Sequence, residues 1–214
     1  MVQVVTISEK TSFYDLETNF NLQLNDDRAA FAEWQRDLPE LTTYEKERLD
    51  QVKAHFLALT QRSLISENLV KMAVVSPLLE LAGFYNGNVQ VRDEIPVEIS
   101  GLDQDVLYRG RIDILVFQEK LWVVAIESKH SQFSLNKAMP QALAYMLASP
   151  NANADPPQDM FGLLTNGSDF RFLKVTHQST PVYSVSSIFS LVDPGNDLYT
   201  VLQILKALAQ SILP

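Results

Sequence analysis

Two neighbouring stretches of extended pattern, residues 106–117 (VLYRGRIDILVF) and 121–129 (LWVVAIESK), constrain the fold most strongly. Both are rich in β-branched and aromatic residues, and the short QEK segment between them predicts an antiparallel hairpin. Alternate side chains of a strand share a face, so Ile112, Ile114 and Val116 are expected together on one face of the sheet. Both faces of the hairpin are mainly apolar. A sheet of this kind has to be covered on both sides, and helices are the expected cover.

Helical patterns precede the hairpin. Residues 42–62 carry apolar side chains three and four positions apart behind Thr42, a candidate N-cap, and therefore predict an amphipathic helix. Residues 63–82 are apolar on most of the helix circumference, which predicts a largely buried helix with a kink at Pro77. The remaining predicted elements are a strand at 89–99, a short helix at 136–149, a hairpin around Asn166-Gly167 and a closing helix at 197–213.

Composition excludes several classes of site. The chain of 214 residues has no cysteine, so a disulfide framework, a cysteine-ligated metal and a thiol nucleophile are ruled out. Its three histidines are too scattered for a zinc motif. A net charge of -9 argues against a protein that simply coats nucleic acid. The first residues lack a signal-peptide pattern and no run is long enough to span a membrane, so we expect a cytoplasmic protein.

Polar residues inside the apolar hairpin are the candidate site. Asp113 interrupts the run GRIDILVF, and burying an aspartate is costly unless a cation pairs with it. Arg111 is one candidate partner and a metal ion is the other. Glu127 and Lys129 lie two positions apart at the end of the second strand, so their side chains share a face of that strand. If Asp113 projects from the same face, the carboxylates of Asp113 and Glu127 could form an oxygen site of the kind Mg²⁺ prefers. The alternative is that Glu127 and Lys129 are only a solvated strand end.

The turn of this hairpin decides whether the site can form. A three-residue loop would pair Phe117 with Leu121 and put Asp113 and Glu127 on the same face of the sheet. A two-residue loop would pair Gln118 with Leu121, and without a β-bulge it would put the carboxylates on opposite faces. The sequence leaves both arrangements open.

Five segments in order resemble the PD-(D/E)xK nuclease superfamily, and within it the N-terminal nuclease domain of type I restriction enzyme R subunits and RecB-like nucleases. The segments are SENLVKMAVVSPLLELAGF, RGRIDILVF, AIESK, QALAY and LLTNGSDFRF, and the resemblance covers roughly residues 63–176. In this superfamily they correspond to a helix glutamate, an aspartate, a Glu-x-Lys pair, a Gln-x-x-x-Tyr pair and a Thr-Asn-Gly turn. Ile112 stands before Asp113 where many relatives have proline.

The resemblance implies a role for each matching residue. The expected metal ligands are Asp113, Glu127, the Ser128 carbonyl and Glu67, with Glu80 as a weaker rival of Glu67. The expected catalytic residues are Asp113, Glu127, Lys129, Gln141 and Tyr145. The implied cofactor is Mg²⁺, with Mn²⁺ as a substitute.

We therefore expect an α/β, restriction-endonuclease-like fold with a mixed central sheet flanked by helices and a helical N-terminal extension. The predicted division is residues 1–62 for the extension and 63–214 for the nuclease domain. The expected function is Mg²⁺-dependent hydrolysis of DNA phosphodiester bonds in restriction, defence or repair. The alternative is a non-catalytic nuclease-like module that binds nucleic acid or a protein. Expected partners are DNA and either a second copy of the chain or restriction subunits, with no membrane.

Overall fold

The computed structural model describes residues 2–27, 37–87, 89–102, 105–118, 121–153, 156–177 and 179–210, with backbone alone for residues 121–128, 152 and 153. The helices are α1 (Phe13–Phe20), α2 (Thr43–Thr60), α3 (Glu67–Val70), a π-helical turn (Lys71–Val75), α4 (Ser76–Leu81), α5 (Leu135–Leu147) and α6 (Leu198–Gln210). The strands are β1 (Gln3–Thr6), β2 (Gln23–Leu24), β3 (Gln90–Ser100), β4 (Val106–Gln118), β5 (Leu121–Ser128), β6 (Met160–Thr165), β7 (Asp169–Thr176), β8 (Val182–Val185) and β9 (Phe189–Ser190).

All of these strands join one mixed sheet. Its main path runs β1-β4-β5-β6-β7-β8-β2, while β3 pairs with β4 and β9 pairs with β7. The pairs β1-β4, β5-β6 and β2-β8 are parallel, and the other pairs are antiparallel. The helix α5 connects the parallel strands β5 and β6, as a parallel crossover requires.

Hydrophobic cores lie on both faces of this sheet. On one face, α2, the π-helical turn, α4 and α6 pack over Leu163 and Phe172. On the other face, α1 and α5 pack over Leu164 and Leu173. Consecutive residues within β6, and likewise within β7, thus lie in opposite cores, as the alternation of side chains along a strand requires. The expectation of a mixed sheet flanked by helices is confirmed.

The two helices predicted before the sheet are present, and the second differs in detail. Thr42 caps α2, and its side chain accepts a hydrogen bond from the Glu45 N–H. The second helical segment begins at Glu67 rather than residue 63, and it includes the π-helical turn. Pro77 follows that turn and lies in the first turn of α4, where its missing N–H is tolerated. The irregularity of this segment is therefore a π-helical turn just before the proline.

The first 27 residues contribute strands as well as a helix, which the sequence patterns did not predict. Gln3 pairs with Val106, and Gln23 pairs with Val182, so β1 and β2 extend the central sheet. Both strands are short and largely exposed, which explains their weak hydrophobic pattern. The segment FNLQLNDDRAAFAEW, residues 20–34, is predicted from its sequence to be a short ordered piece, and its residues 28–34 lie outside the described residues. The domain boundary at residue 62 stays a prediction.

Glu45 joins the start of α2 to α6. Its carboxylate accepts hydrogen bonds from the Thr42 N–H at 2.7 Å and from the Thr42 hydroxyl at 2.9 Å. The Lys206 ammonium of α6 donates to its other oxygen. Burial favours the neutral acid, but the hydrogen bonds from Lys206 and Thr42 outweigh it, so the pKa of Glu45 lies below its ordinary value.

Glu45→Gln is expected to lower the free energy of unfolding by about 1–3 kcal/mol at pH 7, because it removes hydrogen bonds made by a charged group. A carboxyl group whose pKa is lowered by folding stabilises the protein above its unfolded pKa, and this stabilisation disappears as the pH falls through the folded pKa. Urea unfolding of both proteins at pH 7 and near pH 3 should show the difference shrinking in acid. Glu47→Gln, at an exposed position of the same helix, is the control. A difference that does not change with pH would contradict the assignment.

In the part of the chain that the structure describes, the helices are all too short or too polar to cross a bilayer.

Candidate active site in a gap beside strand β4

A gap between two strands opens along one edge of β4. The other edge of β4 is paired with β3 over almost its whole length. On the open side, β1 pairs with Val106–Arg109 and β5 pairs with Ile114–Gln118. Residues 110–113 lie between these two ladders. Asp113 therefore lies on β4 at the end of the β5 ladder, in the unpaired stretch between β5 and β1. Side chains from several elements can reach this position.

The hairpin has the tighter of the two predicted turns together with a bulge. Gln118 pairs with Leu121 and Phe117 with Trp122, which is the two-residue arrangement. The register then shifts at Val116, which pairs with Val124, so that β5 carries one extra residue. The ladder ends at Ile114 and Ile126. The next positions along the two strands are Asp113 and Glu127, and the bulge therefore keeps them on the same side of the hairpin.

Asp113 also marks the point where β4 changes its packing. Ile112 packs in the core formed with α1 and α5, whereas Ile114 packs against the core formed with α2 and α6. The expectation that these two residues share a face is therefore wrong. The physical reason lies on β3, where Glu94 adopts a left-handed backbone with φ 49° and the β3-β4 ladder lacks the Glu94–Asp113 pair. Such a backbone is rare for a residue other than glycine and is concentrated at functional sites.

Lys71, which sequence reasoning missed, is an ionic partner of Asp113. Its Nζ lies 2.9 Å from Asp113 Oδ1 and 3.2 Å from Glu67 Oε1. Arg111 instead pairs with Glu94 at 2.9 Å on the exposed surface, so the expectation that Arg111 might neutralise Asp113 is wrong. The available signal was a lone lysine four residues after Glu67 in an apolar helix, since side chains at i and i+4 meet.

The charges of these residues act on one another. Burial and the nearby charge of Asp113 raise the pKa of Glu67, against the opposing charges of Lys71 and Lys129. Burial disfavours the charged form of Lys71, but its contacts with Asp113 and Glu67 outweigh this effect and raise its pKa. Glu67, Asp113, Lys71 and Lys129 therefore form one electrostatic cluster.

Lys129 is buried directly after β5. The residue is 6% exposed, and its backbone N–H donates to the Thr165 carbonyl at 2.8 Å. Its ammonium lies 3.9 Å from Glu9 Oε1 and 5.7 Å from the centre of the Phe133 ring. A lysine is seldom buried unless its charge is compensated. The alternative of a solvated strand-end cation is thus excluded for Lys129.

Gln141 and Tyr145 lie one turn apart on α5 and are both buried. The Gln141 amide donates to the Tyr145 hydroxyl at 2.9 Å, and Gln141 Oε1 has no hydrogen-bond partner among the described residues. The Tyr145 ring lies against Gly110 in the gap, where an added Cβ would come within 2.5 Å of the ring. Tyr145 therefore forms a wall of the gap beside β4, and Gln141 holds its hydroxyl by a hydrogen bond.

The hairpin predicted at Asn166-Gly167 is confirmed and supports the same site. It connects β6 and β7, and Asn166 Oδ1 accepts hydrogen bonds from the backbone N–H groups of Ser168 and Asp169. The Asn166 amide donates to the Phe133 carbonyl at 2.9 Å. The turn thus fixes the segment that follows Lys129.

The other predicted site residues are placed less completely. Glu127 and Ser128 pair along the backbone with Leu164 and Thr165, and nothing further is described of their side chains. Glu80 is exposed on α4, in agreement with its rank below Glu67. Among the side chains that the structure describes, which do not include that of Glu127, no three His, Cys, Asp or Glu residues are grouped so that they could hold a metal ion. Asp113 and Glu67 nevertheless converge on one ammonium group, so this corner already accommodates a cation between carboxylates.

Residues 6–180 match the family model described as type I restriction enzyme R protein N terminus. Among solved structures, the chain is similar to a fragment of a putative HsdR subunit of a type I restriction enzyme from Vibrio vulnificus YJ016. That match has 16% sequence identity and a TM-score of 0.40, and it covers 68% of this chain and 26% of the solved chain. Curated proteins gave no match.

Proposed function

Because the chain belongs to the family of type I restriction enzyme R protein N termini, a nuclease-related family, we propose that it is a metal-dependent DNA endonuclease domain. The proposed reaction is hydrolysis of a phosphodiester bond by water. The observation that carries the proposal is the cluster in the gap beside β4, where Asp113 and Glu67 share the Lys71 ammonium and the buried Lys129, directly after β5, acts on Glu67 through its charge. Strand-end carboxylates with a buried lysine are a suitable set for phosphate chemistry.

The metal would be Mg²⁺, with Mn²⁺ as a substitute. The residues that would hold it are Asp113, Glu127, the Ser128 carbonyl and Glu67, all of which offer the oxygen ligands that Mg²⁺ prefers. A bound Mg²⁺ would supply Lewis acidity toward phosphate and a lower pKa for an attacking water. The fit rests on the cation that Asp113 and Glu67 already share.

The other residues of the site have distinct proposed roles. The Lys129 ammonium would orient the attacking water and offset the negative charge that develops on the phosphate, and its burial strengthens both effects. Gln141 and Tyr145 would help to position the substrate and the attacking water in the gap. Gln141 Oε1 can accept a hydrogen bond for this purpose, since it has no hydrogen-bond partner among the described residues. DNA is the proposed substrate.

The partners are also proposals. The chain spans about a quarter of the length of the solved chain that it matches, 26%. We propose that it acts in restriction or defence together with other restriction subunits or with a second copy of itself. A single site cuts one strand, and pairing of two sites would allow both strands to be cut. The proposed location is the cytoplasm.

Metal binding tests the basis of this function directly. Titration calorimetry with Mn²⁺ is expected to show binding by the wild type, with most of the heat lost in Asp113→Asn and Glu127→Gln. Asp93→Asn is the matched control, because Asp93 is an exposed carboxylate that pairs with Ile114 and so lies on the neighbouring strand outside the gap. Binding that survives both substitutions would contradict the proposed site.

Cleavage separates the enzyme from its rival. Incubation of the wild type with plasmid and single-stranded DNA in Mg²⁺ or Mn²⁺ is expected to give product. Metal binding without cleavage of either substrate would favour a non-catalytic module that binds DNA or a protein, a rival supported by the net charge of -9.

A further inference from the structure

Lys71 occupies an irregular position in its helix. It opens the π-helical turn Lys71–Val75, which interrupts the run of α-helical hydrogen bonds between α3 and α4. Turns of this type insert one extra residue into a helix and are frequent at functional sites. Lys71 is the first residue of this turn, so its side chain leaves the helix where the regular α-helical pattern is interrupted.

The side chain reaches from this turn into the candidate active site. The Lys71 side chain is 18% exposed, and its ammonium contacts Asp113, whose side chain is 15% exposed, as well as the more exposed Glu67. A charge-assisted hydrogen bond of 2.9 Å to a largely buried carboxylate has substantial strength. This cation therefore neutralises the same two carboxylates that the proposed function assigns to a metal.

A lysine ammonium and a divalent cation cannot share this place without a cost. Like charges a few ångströms apart repel strongly where water is partly excluded. A metal that bonds through Oδ1 of Asp113 needs lone pairs that now accept the Lys71 hydrogen bond, and a metal that bonds through Oδ2 lies within a few ångströms of the ammonium. Metal binding thus opposes the contact between Lys71 and Asp113, either by displacement at Oδ1 or by repulsion between the two cations.

We propose that Lys71 is a positioning residue that holds Asp113 and Glu67 in the absence of metal and competes with the metal for Asp113. This inference rests on the proposed function, since it takes Asp113 as a metal ligand. The lysine lowers the affinity of the free protein for metal and at the same time keeps the carboxylates from repelling each other. Metal loading is therefore an exchange of cations in a preformed site.

The test compares Mn²⁺ affinity by titration calorimetry in the wild type, Lys71→Met and Lys71→Arg. Lys71→Met is expected to bind Mn²⁺ at least about tenfold more tightly, because one charge-assisted hydrogen bond no longer has to be broken. Lys71→Arg retains the charge and should remain within about threefold of the wild type. Lys46→Met, at an exposed position of α2, is the control and should match the wild type.

Thermal unfolding provides a second readout that needs no catalysis. Without metal, Lys71→Met should melt at a lower temperature than the wild type, since Asp113 and Glu67 then repel. Mn²⁺ should raise its melting temperature more than it raises that of the wild type. Lys71→Gln, which keeps a polar side chain, is the substitute if the methionine variant does not fold.

The possible results separate this inference from the function on which it rests. Equal or weaker Mn²⁺ binding by Lys71→Met, with binding still dependent on Asp113, overturns the competition and leaves the metal site intact. Absence of Mn²⁺ binding in the wild type and in both Lys71 variants overturns the metal site and the competition together. Tighter binding by Lys71→Met alone, with Lys71→Arg near the wild type, supports the competition.

Discussion

Lys129→Ala is expected to reduce the rate of DNA cleavage by ~10²–10³-fold while leaving the fold and Mn²⁺ binding largely unchanged. The magnitude is typical for the loss of one preorganised electrostatic contact with the developing charge of a transition state. Lys129 is suited to this role because its side chain is buried, with the ammonium 3.9 Å from Glu9 Oε1 and its charge acting on Glu67, rather than extended into solvent. The measurement is cleavage of plasmid and single-stranded DNA in Mg²⁺ and in Mn²⁺, with a melting curve for each protein.

Lys137→Ala provides the matched control for this experiment. Lys137 is an exposed lysine in the first turn of α5, close in sequence to Lys129, and its loss should leave cleavage unchanged. Equal rates for the wild type and Lys129→Ala would remove Lys129 from the catalytic set. A large drop in the melting temperature of Lys129→Ala would instead show that the buried lysine is needed for the fold.

Gly167→Ala is expected to lower the free energy of unfolding by about 3–4 kcal/mol, which corresponds to a fall in melting temperature of roughly 10 °C. Two costs add. Gly167 has a φ of 89°, a backbone angle that residues other than glycine rarely adopt. An alanine forced into this backbone conformation costs about 1–2 kcal/mol. An added Cβ would also lie 2.4 Å from the Phe56 ring and 3.1 Å from Val70, and overpacking of a core typically costs about 1–3 kcal/mol.

Gly195→Ala separates these two costs. Gly195 has nearly the same φ, 92°, but an added Cβ would meet no atom within 4 Å. Its substitution should therefore cost only the backbone term of about 1–2 kcal/mol. Urea unfolding of the two variants and the wild type gives the comparison. If both variants lost the same free energy of unfolding, overpacking against Phe56 would contribute nothing to the cost of Gly167→Ala.

Local patterns were sufficient for several parts of this fold. The spacing of apolar residues around Leu49, Val52 and Phe56 predicted α2, and these three side chains are buried. The Asn166-Gly167 pair predicted the β6-β7 hairpin, because a left-handed glycine suits so tight a turn. The run of alternating residues on β4 predicted a sheet covered on both faces. These features depend on residues that are close in the sequence.

Long-range features were not predictable in the same way. The change of packing between Ile112 and Ile114 arises because Glu94, on the paired strand, adopts a left-handed backbone, and no pattern within β4 indicates it. The contact between Lys71 and Asp113 joins residues 42 positions apart. Lys71 is a lone lysine in an apolar helix and belongs to none of the sequence motifs described above. Only the tertiary structure therefore identifies Asp113 as its partner.

The arrangement of the β4-β5 hairpin was predictable only in part. Turn length alone allowed Asp113 and Glu127 to lie on the same side of the hairpin or on opposite sides. The register shift at Val116 decides the matter, because the extra residue on β5 moves Asp113 and Glu127 to the same side, and the pattern of apolar residues does not indicate where such a shift occurs. The assignment of catalytic and metal-binding roles to the residues of this gap stays a prediction until the substitutions above are measured.

The parallel pairing of β1 with β4 has a consequence for the order in which the molecule folds. A ribosome releases Gln3 well before Val106, and Gln23 well before Val182, so both early strands wait for partners made much later. Closing loops of this length is entropically costly, and sheets built from such distant pairs fold slowly. Ile7, next to β1, contributes to the crowded surroundings of Gly110. We therefore expect the wall of the gap to form late in folding, after the hairpin that carries Asp113 has formed from neighbouring segments of the chain.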